Sequence, residues 1–300
     1  MRWDDFRQSD NVDDRRGSGG GFGGGGFGLP IGRGGIGIGG LIVVGLLSWA
    51  TGINPLVLLG AADMFGGGST YTEPQRTGGP PQGPLQDKAG RFASAVLAQT
   101  EDVWKVVLPQ QTGREYQPPR LVLYSGATQS NCGHAQAQVG PFYCPADRRL
   151  YVDLDFLERM QQRLGAQGDF AAAYVIAHEV GHHVENQLGI LDKVQAAQRQ
   201  GATREGNALS VRTELMADCL AGVWAHHAQR NWNILEEGDI QEATNAAAAV
   251  GDDRLQQQGR GHVSPDSFTH GTSQQRASWF RTGFGSGTIA SCNTFAANRL

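Results

Sequence analysis

The segment Ala-Tyr-Val-Ile-Ala-His-Glu-Val-Gly-His-His, residues 173–183, contains the pattern H-E-x-x-H at His178, Glu179 and His182. Residues i and i+4 of an α-helix lie on one face, so the two imidazoles project side by side if this segment is helical. Such a pair can bind one zinc ion, and the intervening glutamate can reach a water on that ion. Zinc lowers the pKa of this water towards about 7, and Glu179 can then accept its proton as general base.

The alternative interpretation of this motif is a surface helix that happens to carry histidines. Two observations favour the metal site. Gly181 costs about 1 kcal/mol of helix propensity relative to alanine, so its presence predicts a close approach by another part of the molecule. Paired histidines buried beside a glutamate are also costly unless a ligand compensates them.

A third protein ligand is expected on the next helix. Residues 212–222 read Arg-Thr-Glu-Leu-Met-Ala-Asp-Cys-Leu-Ala-Gly, which places Glu214 and Asp218 at i and i+4 among apolar residues. We predict Glu214 as the third zinc ligand. We predict that Asp218 accepts the N–H of His178 and fixes the tautomer of that imidazole. The alternative is a pair of exposed carboxylates on an amphipathic helix.

Composition excludes one class of function. The chain has 300 residues and a formal net charge of -4, with 25 basic and 29 acidic side chains. This balance provides no positive surface for nucleic acid, so we expect no nucleic-acid partner.

The N-terminal quarter of the chain differs in composition from the rest. Residues 1–33 form a charged and Gly-rich tail, which predicts disorder. Residues 34–62 carry no charged side chain and are predicted to form a single transmembrane helix that contacts the lipid membrane. A Gly/Pro-rich linker, residues 63–84, leads to the folded domain of residues 85–300. Arg15, Arg16 and Arg33 precede the apolar segment, so the positive-inside rule places the N-terminus in the cytoplasm and the domain outside it.

The domain itself is predicted to be α+β. Helices are expected at about 87–107, 169–188, 205–231 and 236–258, and a hairpin between Ala137–Cys144 and Arg149–Asp153 supplies a small antiparallel sheet. An exposed edge of that sheet could pair with an extended substrate backbone.

The chain contains four cysteines: Cys132, Cys144, Cys219 and Cys292. They form no C-x-x-C pair, which argues against a thiolate zinc site. Four cysteines allow three pairings, and the sequence alone does not choose among them. In an oxidising compartment we favour Cys132–Cys144, which leaves Cys219–Cys292 as the second disulfide.

These motifs resemble a known family. HEVGHH followed by ELMADCLAG is similar to the gluzincin pattern, in which H-E-x-x-H is followed by E-x-x-x-D. The ordered segments VGPFYCPADRRLYVDLDF, HEVGHHVENQLG, ELMADCLAGVWA and HGTSQQRASWFRTGF resemble the bacterial neutral zinc metallopeptidases over nearly the whole chain. The resemblance implies a zincin-like fold, a zinc cofactor and a metallopeptidase activity on a peptide or protein substrate. It does not imply a particular substrate.

His270 lies in Phe-Thr-His-Gly-Thr-Ser-Gln-Gln-Arg, residues 268–276, which is similar to a T-H-P…R segment of membrane-associated gluzincins. The functional interpretation makes His270 a catalytic donor to the oxyanion of the tetrahedral intermediate. The alternative is a structural histidine that organises the C-terminal segment, and both remain open. His183 follows His182 directly but points elsewhere on a helix, which indicates a structural role.

The combined prediction is a membrane-anchored, zinc-dependent metallopeptidase, most simply an endopeptidase. Two other functions stay open. The first is a zinc-stabilised scaffold or binding protein of the cell envelope without catalytic activity, and the second is a zinc hydrolase that acts on another amide bond. An open metal site in a cleft would separate the enzyme from the scaffold.

Overall fold

The computed structural model describes residues 1–16, 85, 87–136, 140–157 and 168–296, and all of these belong to one compact unit. Helices make up most of the described residues. They are α1 (Lys88–Thr112), α2 (Asp169–Gln187), α3 (Ile190–Gln200), α4 (Thr203–Trp232), α5 (Asp239–Ala249), α6 (Asp252–Arg260) and α7 (Ser273–Ser286), with short 3-10 turns at Pro265–Ser267 and Ile289–Cys292.

The strands form two small sheets. The larger has the order β1-β2-β6-β5, and the smaller is the antiparallel hairpin β3-β4. In the larger sheet β1 and β6 run parallel to β2, and only β5 runs antiparallel to its neighbour β6. The strand bounds are β1 Val12–Asp14, β2 Arg120–Tyr124, β3 Ala127–Ser130, β4 Gly133–Gln136, β5 Phe142–Cys144 and β6 Arg149–Asp153.

The predicted fold class is therefore wrong in its sheet. The molecule is mostly helical with a small mixed sheet, whereas the sequence predicted a small antiparallel one. The hairpin of β5 and β6 does form, with Tyr143 opposite Leu150. The parallel strands were not foreseen, because each pairs with a partner that is distant in the sequence and leaves no local periodic signal.

Glycines let the central helices approach closely. A Cβ atom added at Gly181 of α2 would lie 2.8 Å from the carbonyl oxygen of Ala217 on α4. The contact between α4 and α7 is tighter still, since a Cβ atom at Gly283 would lie 1.8 Å from the carbonyl oxygen of Cys219. The predicted close approach at Gly181 is thus confirmed for α2 and α4, and Gly283 allows a second close approach between α4 and α7.

Residues 1–16 pack against the domain, although their charge pattern predicted a disordered tail. The strand Val12–Asp14 pairs with β2, and the Trp3 side chain is buried. The Arg7 guanidinium binds the buried Glu101 carboxylate at 2.9 Å. The charged side chains therefore serve as partners for groups of the domain instead of keeping the segment in solvent.

Membrane topology also needs correction. Among the described residues, no helix combines the length and apolar character needed to cross a membrane. Residues 34–62, the predicted transmembrane helix, lie outside the described ranges. A single pass there would separate Val12–Asp14 from Leu121–Leu123, yet these strands pair in one sheet, and Arg16 binds Asp87 at 2.7 Å. The predicted single-pass localisation, with a cytoplasmic N-terminus and an external domain, is therefore wrong, and the transmembrane helix of the predicted fold class is not supported.

Candidate metal centre

Helix α2 presents the H-E-x-x-H motif at the centre of the molecule. The helix begins at Asp169, whose carboxylate suits the positive end of the helix dipole. His178 and His182 lie one turn apart, and their ring centroids are 4.7 Å apart. Both belong to the face of α2 that turns towards α4, where Gly181 allows the close contact.

Helix α4 brings Glu214 to the two imidazoles. Its carboxylate lies 3.2 Å from Nε2 of His178 and 3.5 Å from Nε2 of His182. One donor atom from each of the three side chains falls within 4.8 Å of the other two. The residues predicted as zinc ligands are thus in a position to share one ion.

Asp218 lies behind His178, where the sequence placed it. Nδ1 of His178 donates a hydrogen bond to Asp218 at 2.9 Å, and the carboxylate is completely buried. The guanidinium of Arg276 binds both oxygens of this carboxylate, at 2.8 and 3.0 Å, and the hydroxyl of Tyr174 donates to it as well. Arg276 is the last residue of the segment 268–276, for which the sequence analysis proposed a role for His270 only.

A second buried carboxylate lies behind His182. Nδ1 of His182 donates a hydrogen bond to Glu185 at 2.8 Å. Sequence reasoning missed Glu185, although a signal exists, since it follows His182 by three residues and so shares its helix face.

In the metal-free protein, the charged forms of His178, His182 and Glu214 stabilise one another. Burial lowers the pKa of His178, but Asp218 and Glu214 outweigh this effect and raise it to about 9. Burial likewise lowers the pKa of His182, but Glu214 and Glu185 raise it well above its usual value. Burial raises the pKa of Glu214, but the two imidazoles hold it well below its usual value. A metal ion at this site therefore competes with protons on both histidines.

The donor chemistry fits zinc. Two imidazole nitrogens and one carboxylate oxygen form the H-E-x-x-H plus Glu set, in which an open position remains for a reactant. Each imidazole is hydrogen-bonded through Nδ1 to a buried carboxylate, so Nε2 is the nitrogen that is directed towards Glu214. Such carboxylates typically orient metal-binding histidines.

A cleft of about 350 Å³ opens beside the three ligand side chains. Glu179 lines it and is only 7% exposed, and burial raises the pKa of this carboxyl group. The cleft is also lined by Phe142, Tyr143, Phe156, Val175 and His270. An open site with a carboxylate beside it differs from a closed structural zinc site, in which protein ligands fill all four positions.

His270 lies on the wall of this cleft, within a loop fixed by Asp252. One carboxylate oxygen of Asp252 accepts the backbone N–H groups of Thr269, His270 and Gly271, at 2.7, 2.6 and 3.1 Å. The other lies 3.3 Å from Nδ1 of His270. This hydrogen bond raises the pKa of His270, although burial lowers it. The loop thus holds an imidazole with its charged form favoured at the cleft.

A second pocket of about 220 Å³ adjoins the candidate ligands His182 and Glu214. His182 and Glu214 line both pockets, as does Tyr143 of strand β5. The walls of the second pocket come mainly from α3 and α4, with Leu191 and Val194 among the apolar residues. The second pocket therefore shares two of the three candidate ligands with the cleft.

Two disulfide bonds form among the described residues. Cys132 pairs with Cys144, and Cys219 pairs with Cys292, as we favoured from the sequence. The second disulfide links α4, directly after Asp218, to the C-terminal 3-10 turn. His183, predicted to be structural, is buried and contacts the Tyr143 hydroxyl at 3.0 Å, which ties α2 to strand β5.

Comparison with known proteins places these features in a family. The family model described as "Putative neutral zinc metallopeptidase" matches residues 1–295. The "Uncharacterized protein YpfJ" of Escherichia coli (strain K12) is 51% identical over 297 residues, which cover 98% of this chain and 99% of that protein. The "Uncharacterized protein Rv2575" of Mycobacterium tuberculosis (strain ATCC 25618 / H37Rv) is 44% identical over 226 residues, 71% of this chain and 74% of that protein. No solved structure gives a significant match. With a family model spanning almost its whole length, the chain belongs to the neutral zinc metallopeptidase family.

Proposed function

We propose that this protein is a zinc-dependent metallopeptidase that hydrolyses internal peptide bonds, with Glu179 as general base. The observation that carries the proposal is the convergence of His178, His182 and Glu214 beside an open cleft that Glu179 also lines. A zinc site that serves only stability needs no water-activating base, whereas Glu179 is a buried carboxylate that lines the cleft. This argues against the scaffold function.

The three candidate ligands would hold the zinc ion, and Asp218 would keep the His178 imidazole in the orientation that binding requires. Zinc, when bound, supplies a Lewis acid that activates water and polarises a carbonyl group. Arg276 keeps Asp218 ionised, because its guanidinium lowers the pKa of that buried carboxyl group against the effect of burial.

Glu179 would move the proton. Its carboxylate takes a proton from the attacking water and later delivers it to the nitrogen of the departing amine. Burial raises the pKa of this group, so it binds a proton more readily than an exposed glutamate does.

His270 would stabilise the developing charge on the former carbonyl oxygen. Asp252 engages its Nδ1 and its backbone, which leaves Nε2 as the ring nitrogen available to a substrate. An imidazolium at this place would donate a charge-assisted hydrogen bond to an oxyanion. The contact with Asp252 favours this charged form.

The substrate is proposed to be an extended peptide. Strand β5 lies at the edge of the described sheet. Residues of this strand and the residue after it line the pockets: Phe142 lines the cleft, Tyr143 lines both pockets and Pro145 lines the second pocket. A chain that pairs with this edge would pass the metal ligands and continue on both sides. Space on both sides favours an internal bond over a terminal one.

The test is a peptide-library assay on zinc-loaded protein, with Glu179→Gln as the matched variant. The amide has the same size but lacks the basic oxygen, so we expect a loss of about 10²–10⁴-fold in kcat with unchanged zinc content. Full activity in the variant would exclude the mechanism. No cleavage of any peptide by the fully loaded wild type would favour the scaffold function.

A further inference from the structure

Like Asp218, Glu185 contacts a candidate metal ligand and has no reacting role in the proposed chemistry. Its side chain is fully buried, and it contacts His182 through Nδ1 at 2.8 Å. In its ionised form this carboxylate can only accept hydrogen bonds, and His182 would then donate from Nδ1. The lone pair of the neutral imidazole is then on Nε2, the nitrogen that lies 3.5 Å from Glu214.

The two histidines are supported unequally. Asp218, behind His178, is also bound by the Arg276 guanidinium and by the Tyr174 hydroxyl. Glu185 has no such second partner among the described residues, and its Oε1 is buried without a hydrogen bond there. A buried carboxylate is costly unless a positive charge compensates it. For Asp218 this positive charge is the Arg276 guanidinium. For Glu185 the contacting group that can supply a positive charge is His182, either as an imidazolium or through an ion bound to it.

The geometry points to Glu185 as the positioning residue for His182, which fixes its metal-binding tautomer and makes retention of the divalent ion depend on its negative charge. This inference rests on the metal-binding part of the proposed function and not on its catalytic part. A bound zinc ion would balance the negative charge of Glu185, as the Arg276 guanidinium balances that of Asp218.

Two substitutions separate charge from orientation. Glu185→Gln keeps a carbonyl acceptor for Nδ1 but removes the charge, while Glu185→Leu removes both. We expect zinc affinity, measured by competition with a chromophoric chelator, to fall by about 10-fold in the first variant and about 100-fold in the second. Glu242→Gln is the control, because Glu242 also has a buried oxygen without a partner among the described residues but belongs to α5, away from the metal ligands.

The tautomer gives a second measurement that needs no variant. In zinc-loaded wild-type protein with ¹⁵N-labelled histidine, NMR should show a proton on Nδ1 of His182 and none on Nε2. A His182 ring protonated on Nε2 would overturn the inference, and so would unchanged zinc affinity in both folded Glu185 variants. If the wild type binds zinc with the expected Glu185 dependence but cleaves no peptide, the proposed activity fails and the role of Glu185 stands.

Discussion

The Glu214 carboxylate lies 3.2 Å from Nε2 of His178, and the two side chains come from different helices, α4 and α2. The candidate metal centre therefore joins two helices that are separate in sequence. An ion bound there would act as a cross-link between them, and its binding free energy would add to the stability of the folded chain.

The first prediction concerns this link. Wild-type protein should contain about one zinc per chain by elemental analysis, and a His178→Ala, His182→Ala double variant should contain none. Saturating zinc at about 1,000 times Kd should stabilise the wild type by about 4 kcal/mol and leave the double variant unchanged. His227→Ala is the control, since His227 is also on α4 but binds the carbonyl of Gly287. Stoichiometric zinc in the double variant would rule out this ligand set.

The second prediction concerns His270. His270→Ala should lower kcat by about 10²–10³-fold, the usual effect of removing an oxyanion donor, with little change in KM or zinc content. His270→Gln retains an N–H donor and should recover part of the rate. A purely structural histidine would give the opposite pattern, a lower melting temperature with kcat unchanged in the protein that remains folded.

A third prediction is the pH dependence of zinc binding. His178 has a pKa of about 9 in the metal-free folded protein, against about 6.5 when unfolded. Because the folded value is raised, this group stabilises the metal-free protein fully below pH ~6.5, and the contribution is lost as pH rises through about 9. Zinc needs the neutral imidazole, so its apparent affinity should rise over the same range, by about one log unit per pH unit for each displaced proton. Isothermal titration calorimetry in buffers of different ionisation enthalpy measures the released protons. A flat affinity profile between these limits would contradict the assignment.

The fourth prediction tests the second pocket. Val194 lines it from α3, and the lining carries no ionisable acid or base other than the candidate ligands His182 and Glu214 and the phenol of Tyr143. Val194→Asp should therefore reduce kcat/KM for peptides with an apolar residue beside the cleaved bond, by about 10-fold or more, since a buried apolar contact is replaced by a charge. Zinc content should not change. Asp192→Asn, on the same helix but outside this pocket, is the control. Equal kcat/KM values for Val194→Asp and wild type would remove the pocket from the substrate path.

The fifth prediction concerns the ends of residues 17–84. Arg16 and Asp87 form an ion pair at 2.7 Å, so the described chain leaves and re-enters the domain at one place. A Gly/Ser linker of about eight residues reaches up to ~26 Å and should connect these ends. We expect the shortened protein to fold and to keep its zinc, because the contacts between residues 1–16 and the domain, and all three candidate ligands, lie outside the replaced segment. Loss of the fold would show that the association of residues 1–16 with the domain also requires residues 17–84.

The sequence predicted the parts of the site that depend on helix periodicity. His178 with His182, and Glu214 with Asp218, each repeat at i and i+4, and that spacing fixes their common direction once the helices form. Arg276 could not be placed in this way, because it reaches Asp218 only through the packing of α7 on α4. The strand Val12–Asp14 was missed for a similar reason, since parallel pairing with distant residues leaves no trace in local composition.

The glycine at position 181 has a consequence for ion selectivity. It fixes how near the axis of α2 comes to that of α4, and Ala217, which it touches, directly precedes Asp218 and follows Glu214 by three residues. Zinc binds imidazole nitrogen at about 2.0–2.1 Å, whereas calcium takes oxygen ligands at about 2.3–2.6 Å and needs more of them. The absence of one methyl group between α2 and α4 thus keeps the donor atoms of the three candidate ligands within 4.8 Å of one another, a spacing that suits an ion with short bonds and few ligands.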